Sequence, residues 1–353
     1  MLFSIKLKRY LRRLTAELTW PTMLLLVIGQ TAITYILLIA AQETDIIDHP
    51  MQFFYYNMVV VSTVGFGDFS PVTEAGKAIV TFFQIPSGLI VFATFIGKIT
   101  QLFINIARAN MNGSNNFSHL QGHILLLCWD QYSTEQVVKL ILGDKKRQKR
   151  QILLCVTEQM DNPFPEIEEI SFARLTSFSD PNELTRIALS KAERIIVDGE
   201  SDDQTLSIAL SIATFTNENA NISAHFFDKT KADLLKNHCP QIECSTDTSA
   251  QMMVRSMQDP GSSQVTERLL STLKGPTLYC MQIPELTNTI TFGQAFTKLK
   301  INQGMILIGM SHFKNGDKME LNPAMDNQIQ AGDYLHYIAN ERITPDEIDW
   351  DHI

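Results

Sequence analysis

Residues 51–68 read Met51-Gln52-Phe53-Phe54-Tyr55-Tyr56-Asn57-Met58-Val59-Val60-Val61-Ser62-Thr63-Val64-Gly65-Phe66-Gly67-Asp68. The stretch up to Val61 is apolar and aromatic. As a helix it reaches only about half of the ~30 Å hydrocarbon core. A short apolar helix of this kind reads as re-entrant: it enters the membrane and must come back. Its return is Ser62 to Asp68. Non-helical backbone at membrane depth is tolerated only where it is buried in protein or lines a water-filled path. Gly65 and Gly67 accept torsions that other residues resist, so successive carbonyls can face a common axis. Four such segments around that axis would replace a cation's water shell with rings of oxygen.

Working outward, residues 23–41 (MLLLVIGQTAITYILLIAA) carry no charge. As a helix they reach about 28 Å, close to the thickness of the membrane core. Residues 78–104 carry a single charge, Lys98, placed near the end where its stem can reach the interface. The bases ahead of the first run also suit a secretory signal, but the run is longer than a signal core and a second span follows. Lys6, Lys8, Arg9, Arg12 and Arg13 precede the first run, whereas Glu43, Asp45, Asp48, Asp68 and Glu74 face Lys77 alone between the two. Positive flanks stay inside. Both termini are therefore expected in the cytoplasm of a multi-pass cell-membrane protein. Residues 1–20 place Ile5, Leu7, Leu11 and Leu14 apart from the bases. They suit a basic amphipathic helix on the inner lipid surface, or an ordinary basic flank.

The run Thr63-Val64-Gly65-Phe66-Gly67-Asp68 resembles the potassium-channel signature in its Phe variant. The resemblance implies an all-α two-transmembrane pore domain over residues 21–108. Its parts are a span at 23–41, a pore helix at 51–62, a selectivity filter at 63–68 and a span at 78–104. It also implies a homotetramer with K+ as the permeant ion. Thr63 would add a hydroxyl at the inner end, and Asp68 would anchor the filter at the outer mouth. Many relatives carry Tyr in place of Phe66, Trp in place of Tyr55 and Tyr56, and some a buried Glu in place of Val59. Those departures bear on filter stability. Pro86-Ser87-Gly88 predicts a kink. Relatives bend the inner helix near this depth, which makes these residues the hinge and Phe92 and Ile96 the narrow inner mouth. The two side chains equally suit packing against neighbouring helices.

The chain has 353 residues, 45% hydrophobic and 19% charged, with a net charge of −9. Nearly all long apolar runs precede residue 106, so the remainder is a second, soluble-looking part. No clustered basic face suggests nucleic acid. Cys128, Cys155, Cys239, Cys244 and Cys280 all lie in this part, and their odd number fits reduced cytosolic thiols better than a disulfide framework. Residues 109–118 (ANMNGSNNFS) read as a polar tether. Beyond them strands at 123–128, 152–156, 194–197 and 222–227 alternate with helices at 133–142, 182–189 and 203–214. That order predicts a parallel doubly wound sheet. From residue 275, short strands at 277–283, 305–311 and 334–338 and the turns Lys314-Asn315-Gly316-Asp317 and Ala331-Gly332-Asp333 predict a smaller α+β lobe.

A two-span pore followed by this pair of lobes resembles the prokaryotic potassium channels gated by RCK domains (regulator of potassium conductance). The segment Ala192-Glu193-Arg194-Ile195-Ile196-Val197-Asp198, and Asn322-Pro323 with Ala331-Gly332-Asp333, carry that likeness. It implies a Rossmann-like RCK N-lobe over 119–270, an α+β RCK C-lobe over 271–343 and a tail over 344–353. It further implies an octameric gating ring, with the extra domains supplied by soluble copies started internally, for which Met111 is suitably placed.

The regulatory ligand stays open between a divalent metal and a nucleotide. A dinucleotide site wants G-x-G-x-x-G after the first strand. Here Cys128-Trp129-Asp130-Gln131-Tyr132-Ser133 has no glycine, and Asp130 would repel phosphate. Glu158 stands where an acid could hold a ribose. Calcium-gated relatives use three acids at the ends of the fourth and fifth strands. Asp198 matches one; His225 and Phe227 replace the others, which damages a hard-metal site. Asp198 with His225 could hold a softer metal or sense pH, or each could be structural. His238, Cys239 and Cys244 could suggest zinc but lack a fourth ligand. Two other classes fit the sequence less well: a membrane-anchored NAD enzyme, which wants the missing glycines, and a non-conducting regulatory subunit of a transporter, which has no use for a filter.

Overall fold

The computed structural model describes residues 19–144, 147–217, 219–285, 289–314, 316 and 318–353. The basic segment expected over 1–20 lies almost wholly outside these residues, as does part of the Lys314–Asp317 turn. The chain divides into two compact units, 1–108 and 109–353.

The first unit is helical. α1 (Trp20–Ala40) begins with Thr19 as its N-cap. A single turn, α2 (Thr44–Ile47), leads to α3 (Pro50–Val61), whose first-turn proline has no N–H to leave unpaired. Leu38, Ile46, Phe53, Tyr56 and Val80 pack these helices together. α4 runs from Glu74 to Asn112, well beyond the 78–104 expected. α1 and α4 are both long and apolar enough to cross a membrane.

A kink expected at Pro86 appears as a widening of the helix. Pro86 has no N–H to donate, and its ring crowds the preceding turn. The chain answers with a π turn over Val80–Gln84, closed by Ile85 N donating to the Val80 carbonyl. Ser87 Oγ donates to the Phe83 carbonyl at 2.6 Å.

The second unit opens with a parallel sheet ordered β3-β2-β1-β4-β5-β6. Its strands are β1 (Ile124–Cys128), β2 (Ile152–Val156), β3 (Ile170–Arg174), β4 (Arg194–Asp198), β5 (Asn221–Phe226) and β6 (Ile242–Thr246). β1 and β2 are buried along their whole length, as continuous apolar runs covered on both faces should be. Helices α5 (Gln131–Gly143), α6 (Pro181–Arg186), α7 (Asp202–Ala213) and α8 (Lys229–His238) alternate with them. The helix expected over 182–189 ends at Arg186, since Ala188 takes a left-handed φ of 53°.

A helical pair, α9 (Ser249–Gln258) and α10 (Ser262–Leu270), leads to the smaller lobe. There β7 (Thr277–Gln282), β9 (Ile306–Ser311), β10 (Glu320–Leu321) and β12 (Tyr334–Ala339) form an antiparallel sheet ordered β10-β9-β12-β7. β8 (Ile290–Thr291) pairs with β11 (Gln328–Ile329), and α11 (Phe292–Gln303) covers the lobe. Fold and lobe order are those the sequence predicts: a helical two-span pore region, a Rossmann-like sheet and a small α+β lobe.

The polar tether expected over 109–118 is not a free linker. Residues up to Asn112 continue α4, and the rest is bound to the sheet. Gly113 takes a φ of +66°, and a Cβ there would lie 2.4 Å from the Arg174 amide. Arg174 N donates to the Gly113 carbonyl at 2.9 Å, and Phe117 N to the Arg186 carbonyl at 2.8 Å. Arg186 Nη1 donates to the carbonyls of Asn115 and Gly113 at 2.7 and 3.2 Å. Composition alone read these asparagines and serines as solvated; their backbone groups instead find partners on the folded lobe.

Candidate functional site

The return of the re-entrant segment has an alternating backbone. Thr63, Gly65 and Gly67 have φ of 61°, 60° and 75°, while Val64 and Phe66 between them are not left-handed. Alternating handedness is the torsion pattern that turns successive peptide groups to one side. The N–H groups point back to α3: Thr63 N donates to the Val60 carbonyl, and Val64 N and Gly65 N to the Val59 carbonyl at 3.1 and 3.2 Å. Among the described residues, no hydrogen bond reaches the carbonyl oxygens of residues 63–67. A Cβ on Gly65 or Gly67 would meet no atom within 4 Å, so torsion rather than space calls for glycine at these two positions.

Asp68 is held by Tyr55, whose hydroxyl donates to its Oδ2 at 2.7 Å. The Tyr55 ring stacks edge-on against Phe69, centroids 6.2 Å apart. A phenol thus ties α3 to the carboxylate that ends the return segment. Tyr56 turns the other way and donates to Gln84 Oε1 at 3.2 Å.

Two features behind this segment escaped the sequence reading. First, Asn57 and Gln84 are buried and linked, Gln84 Nε2 donating to Asn57 Oδ1 at 3.0 Å. Asn57 also donates to Thr31 Oγ1 at 3.2 Å, and Gln30 reaches Thr34 Oγ1 at 3.2 Å. One polar network therefore joins α1, α3 and the π turn of α4. Its signal was available: single amides interrupting apolar helices are costly unless paired. Second, Glu43 is fully buried. It accepts from Thr73 Oγ1 at 2.7 Å, Thr73 N at 2.8 Å and Val72 N at 2.9 Å. Burial opposes its charge, but these three bonds outweigh it and hold the carboxyl below its usual value. Thr73 in turn caps the start of α4. Gly76 leaves the room, since a Cβ there would sit 2.0 Å from Glu43 Oε1.

Gly88, read as part of a hinge, is buried against α3: an added Cβ would lie 2.9 Å from Val61 Cγ2. Ile96 is about half exposed on α4, and Phe92 is partly buried.

In the second unit the carboxyl ends of the strands gather Asp130, Glu158, Asp198 and His225. Asp130 caps α5 by accepting from Ser133 N at 2.8 Å, which occupies the helix end a phosphate would use. Asp198 accepts from Ser133 Oγ at 3.2 Å. Glu158, after β2, lies beside Glu200; burial first, then the second carboxylate, pushes its carboxyl up. His225 contacts Ser245 Oγ at 3.3 Å and sits 5.3 Å from the Phe227 ring. Asp198 and His225 are thus engaged with separate partners. Among the described residues no group of three or more His, Cys, Asp or Glu is arranged to hold a metal, and this includes His238, Cys239 and Cys244. The acidic run that follows β4 is structural in part. Asp202 accepts from Phe227 N and Asp228 N at 3.0 and 2.7 Å, and Asp203 pairs with Lys231 at 2.6 Å.

Two membrane-length helices around a re-entrant half-helix, followed by a Rossmann-like domain and an α+β lobe, define a pore-forming membrane subunit with an attached regulatory region. Residues 22–105 match the ion channel family model, and residues 246–349 match the model described as Castor and Pollux, part of voltage-gated ion channel. The chain is similar to two-span potassium channels that carry an RCK region. It is 20% identical to the calcium-gated potassium channel TvoK of Thermoplasma volcanium, over 82% of this chain and 81% of that one. It is 34% identical to the voltage-gated potassium channel Kch of Escherichia coli, over 23% of this chain and 19% of that one. Among solved structures it resembles the GsuK channel, with a TM-score of 0.43 and 15% identity, covering 91% of this chain and 56% of that one. These relatives are channels rather than enzymes.

Proposed function

We propose that the chain forms a potassium-selective pore as a homotetramer, with residues 63–68 as its filter and the RCK region as its ligand-controlled gate. One observation carries the reading. The backbone of residues 63–67 alternates in handedness and spends the N–H groups of Thr63, Val64 and Gly65 on α3, while its carbonyls accept no hydrogen bond among the described residues. Four such segments would present rings of oxygen to a dehydrated cation. α3 ends at the same place, and the negative end of its dipole favours a cation there. The charge distribution around the spans supports cytoplasmic termini.

For control, the acid set of calcium-gated relatives is not complete: Asp198 remains, whereas His225 and the exposed Phe227 replace acids. This favours a ligand other than calcium. Eight RCK domains in a ring, four of them started at Met111, remain part of the reading. A flux assay in liposomes loaded with K+ or Na+ tests the pore. Wild-type protein should pass K+ only, and Gly65→Ala should pass none, because a Cβ opposes a φ of 60°. Equal K+ and Na+ flux would refute it.

A further inference from the structure

A cavity of about 800 Å3 in the second unit lies away from the carboxyl ends of the strands. It opens at their opposite, amino ends, between the sheet and the smaller lobe. Ile124, Arg194 and Asn221, at or next to the starts of β1, β4 and β5, line one side; Cys280 to Gln282 of β7 and Arg342 to Pro345 line the other. Four arginines face it (Arg147, Arg150, Arg194 and Arg342) against two carboxylates, Asp144 and Glu193.

The pairing of these charges is incomplete. Arg150 grips Glu193 with two bonds of 3.0 and 2.6 Å, and Arg342 holds Asp144 at 2.8 and 3.2 Å. Arg147 pairs with Glu169, outside the cavity, and its Nη1 is buried with no hydrogen-bond partner. Arg194 makes no ion pair among the described residues. Partial desolvation first, then the nearby Arg150 and Arg342, push its guanidinium pKa down, against the opposing pull of Glu193 and Asp144. Arg147 and Arg150 belong to the basic segment Arg147-Gln148-Lys149-Arg150, in a chain of net charge −9. Excess positive charge held in a fold attracts an anion, and guanidinium forks match phosphate oxygens in particular.

Leu140, Ile141, Ile196, Met281 and Ile343 give the wall an apolar part, beside polar groups such as Asn221, Ser223 and Thr272. A pocket of this size, mostly apolar with a few convergent charged groups, suits a small organic ligand rather than a bare ion. α5 ends here and offers carbonyl oxygens, so the arginines and no helix N-terminus must supply the attraction. We propose that this cavity binds a nucleoside phosphate, its phosphates on Arg194 and Arg147 and its base against the Ile141–Met281 wall. The site lies apart from the dinucleotide position that Asp130 caps, and bridging the two lobes suits it to report ligand as lobe movement. The proposal is independent of the pore's selectivity.

The test uses full-length protein in detergent and ADP as the probe, without divalent cation. Equilibrium dialysis with radiolabelled ADP should show binding that inorganic phosphate competes and adenosine competes weakly. Arg194→Gln should weaken it at least tenfold, and Arg194→Lys should restore part of it. ADP should also slow labelling of Cys280, exposed on the cavity wall, by a thiol reagent in the unaltered protein, a readout that needs no variant to fold. No binding of ADP or phosphate at millimolar concentration would overturn the proposal. So would ADP binding that leaves Cys280 unprotected and is unchanged in Arg194→Gln.

Discussion

Single residues hold the outer end of the pore. Tyr55 and Asp68 do across one subunit what the aromatic residue at Phe66 cannot, since its ring has no hydroxyl. Tyr55→Phe should leave assembly intact but shorten open bursts in single-channel records; unchanged bursts would show that the bond does not steady the filter. Glu43 is the second such residue. Its carboxyl is held below the ordinary glutamate range, so the stabilisation it gives is complete above that range and fades as pH falls through the lowered value. Stability should therefore be flat through neutral pH and drop in acid, and Glu43→Gln should flatten the acid limb. Glu43→Ala removes the acceptor shared by Val72 N, Thr73 N and Thr73 Oγ1 and should cost roughly 1–3 kcal/mol in all. Melting of the detergent-solubilised protein as a function of pH would read both.

At the scale of elements, α4 carries two adjustments that the sequence made only half visible. Pro86 announced a local departure, but not that it would be absorbed as a π turn one step earlier, with Gln84 drawn into a network with Asn57 and Tyr56. Gly88 reads as part of a hinge because relatives bend the inner helix near this depth; in the fold it is also the gap into which Val61 packs. Gly88→Ala should cost roughly 1–3 kcal/mol by overpacking, and Val61→Ala in the same chain should recover most of it. A hinge role alone predicts no such rescue, and thermal melts of the single and double variants decide between them. The segment after α4 was misread for a related reason: polar composition does not reveal that Arg186 donates to the carbonyls of Asn115, Gly113 and Arg174. Arg186→Ala should loosen the start of the second unit, seen as faster amide exchange at residues 113–120, and should weaken any coupling of ligand to opening more than a surface arginine would.

Across the whole molecule, the order of parts was legible from residue 51 outward. A short apolar helix with Gly-X-Gly has few places to exist other than a pore, and strands alternating with helices leave little choice but a parallel sheet. β3 and β6 were missed because short strands such as ISFAR and IECST mix polar and apolar residues without a clear period. The ligand site was least legible, because it depends on which side chains meet. Asp198 and His225 are bonded to Ser133 and Ser245 rather than to each other, and the arginine cavity draws on Arg147, Arg150, Arg194 and Arg342 from separate segments of the chain. Calcium should bind the full-length protein weakly at Asp198, and calorimetry showing tight binding lost in Asp198→Asn would contradict that. The central claim concerns the pore. The direct measurement is the reversal potential of purified channels in a planar bilayer with K+ on one side and Na+ on the other. Reversal close to the potassium equilibrium potential is predicted; reversal near zero would contradict the carbonyl-lined filter.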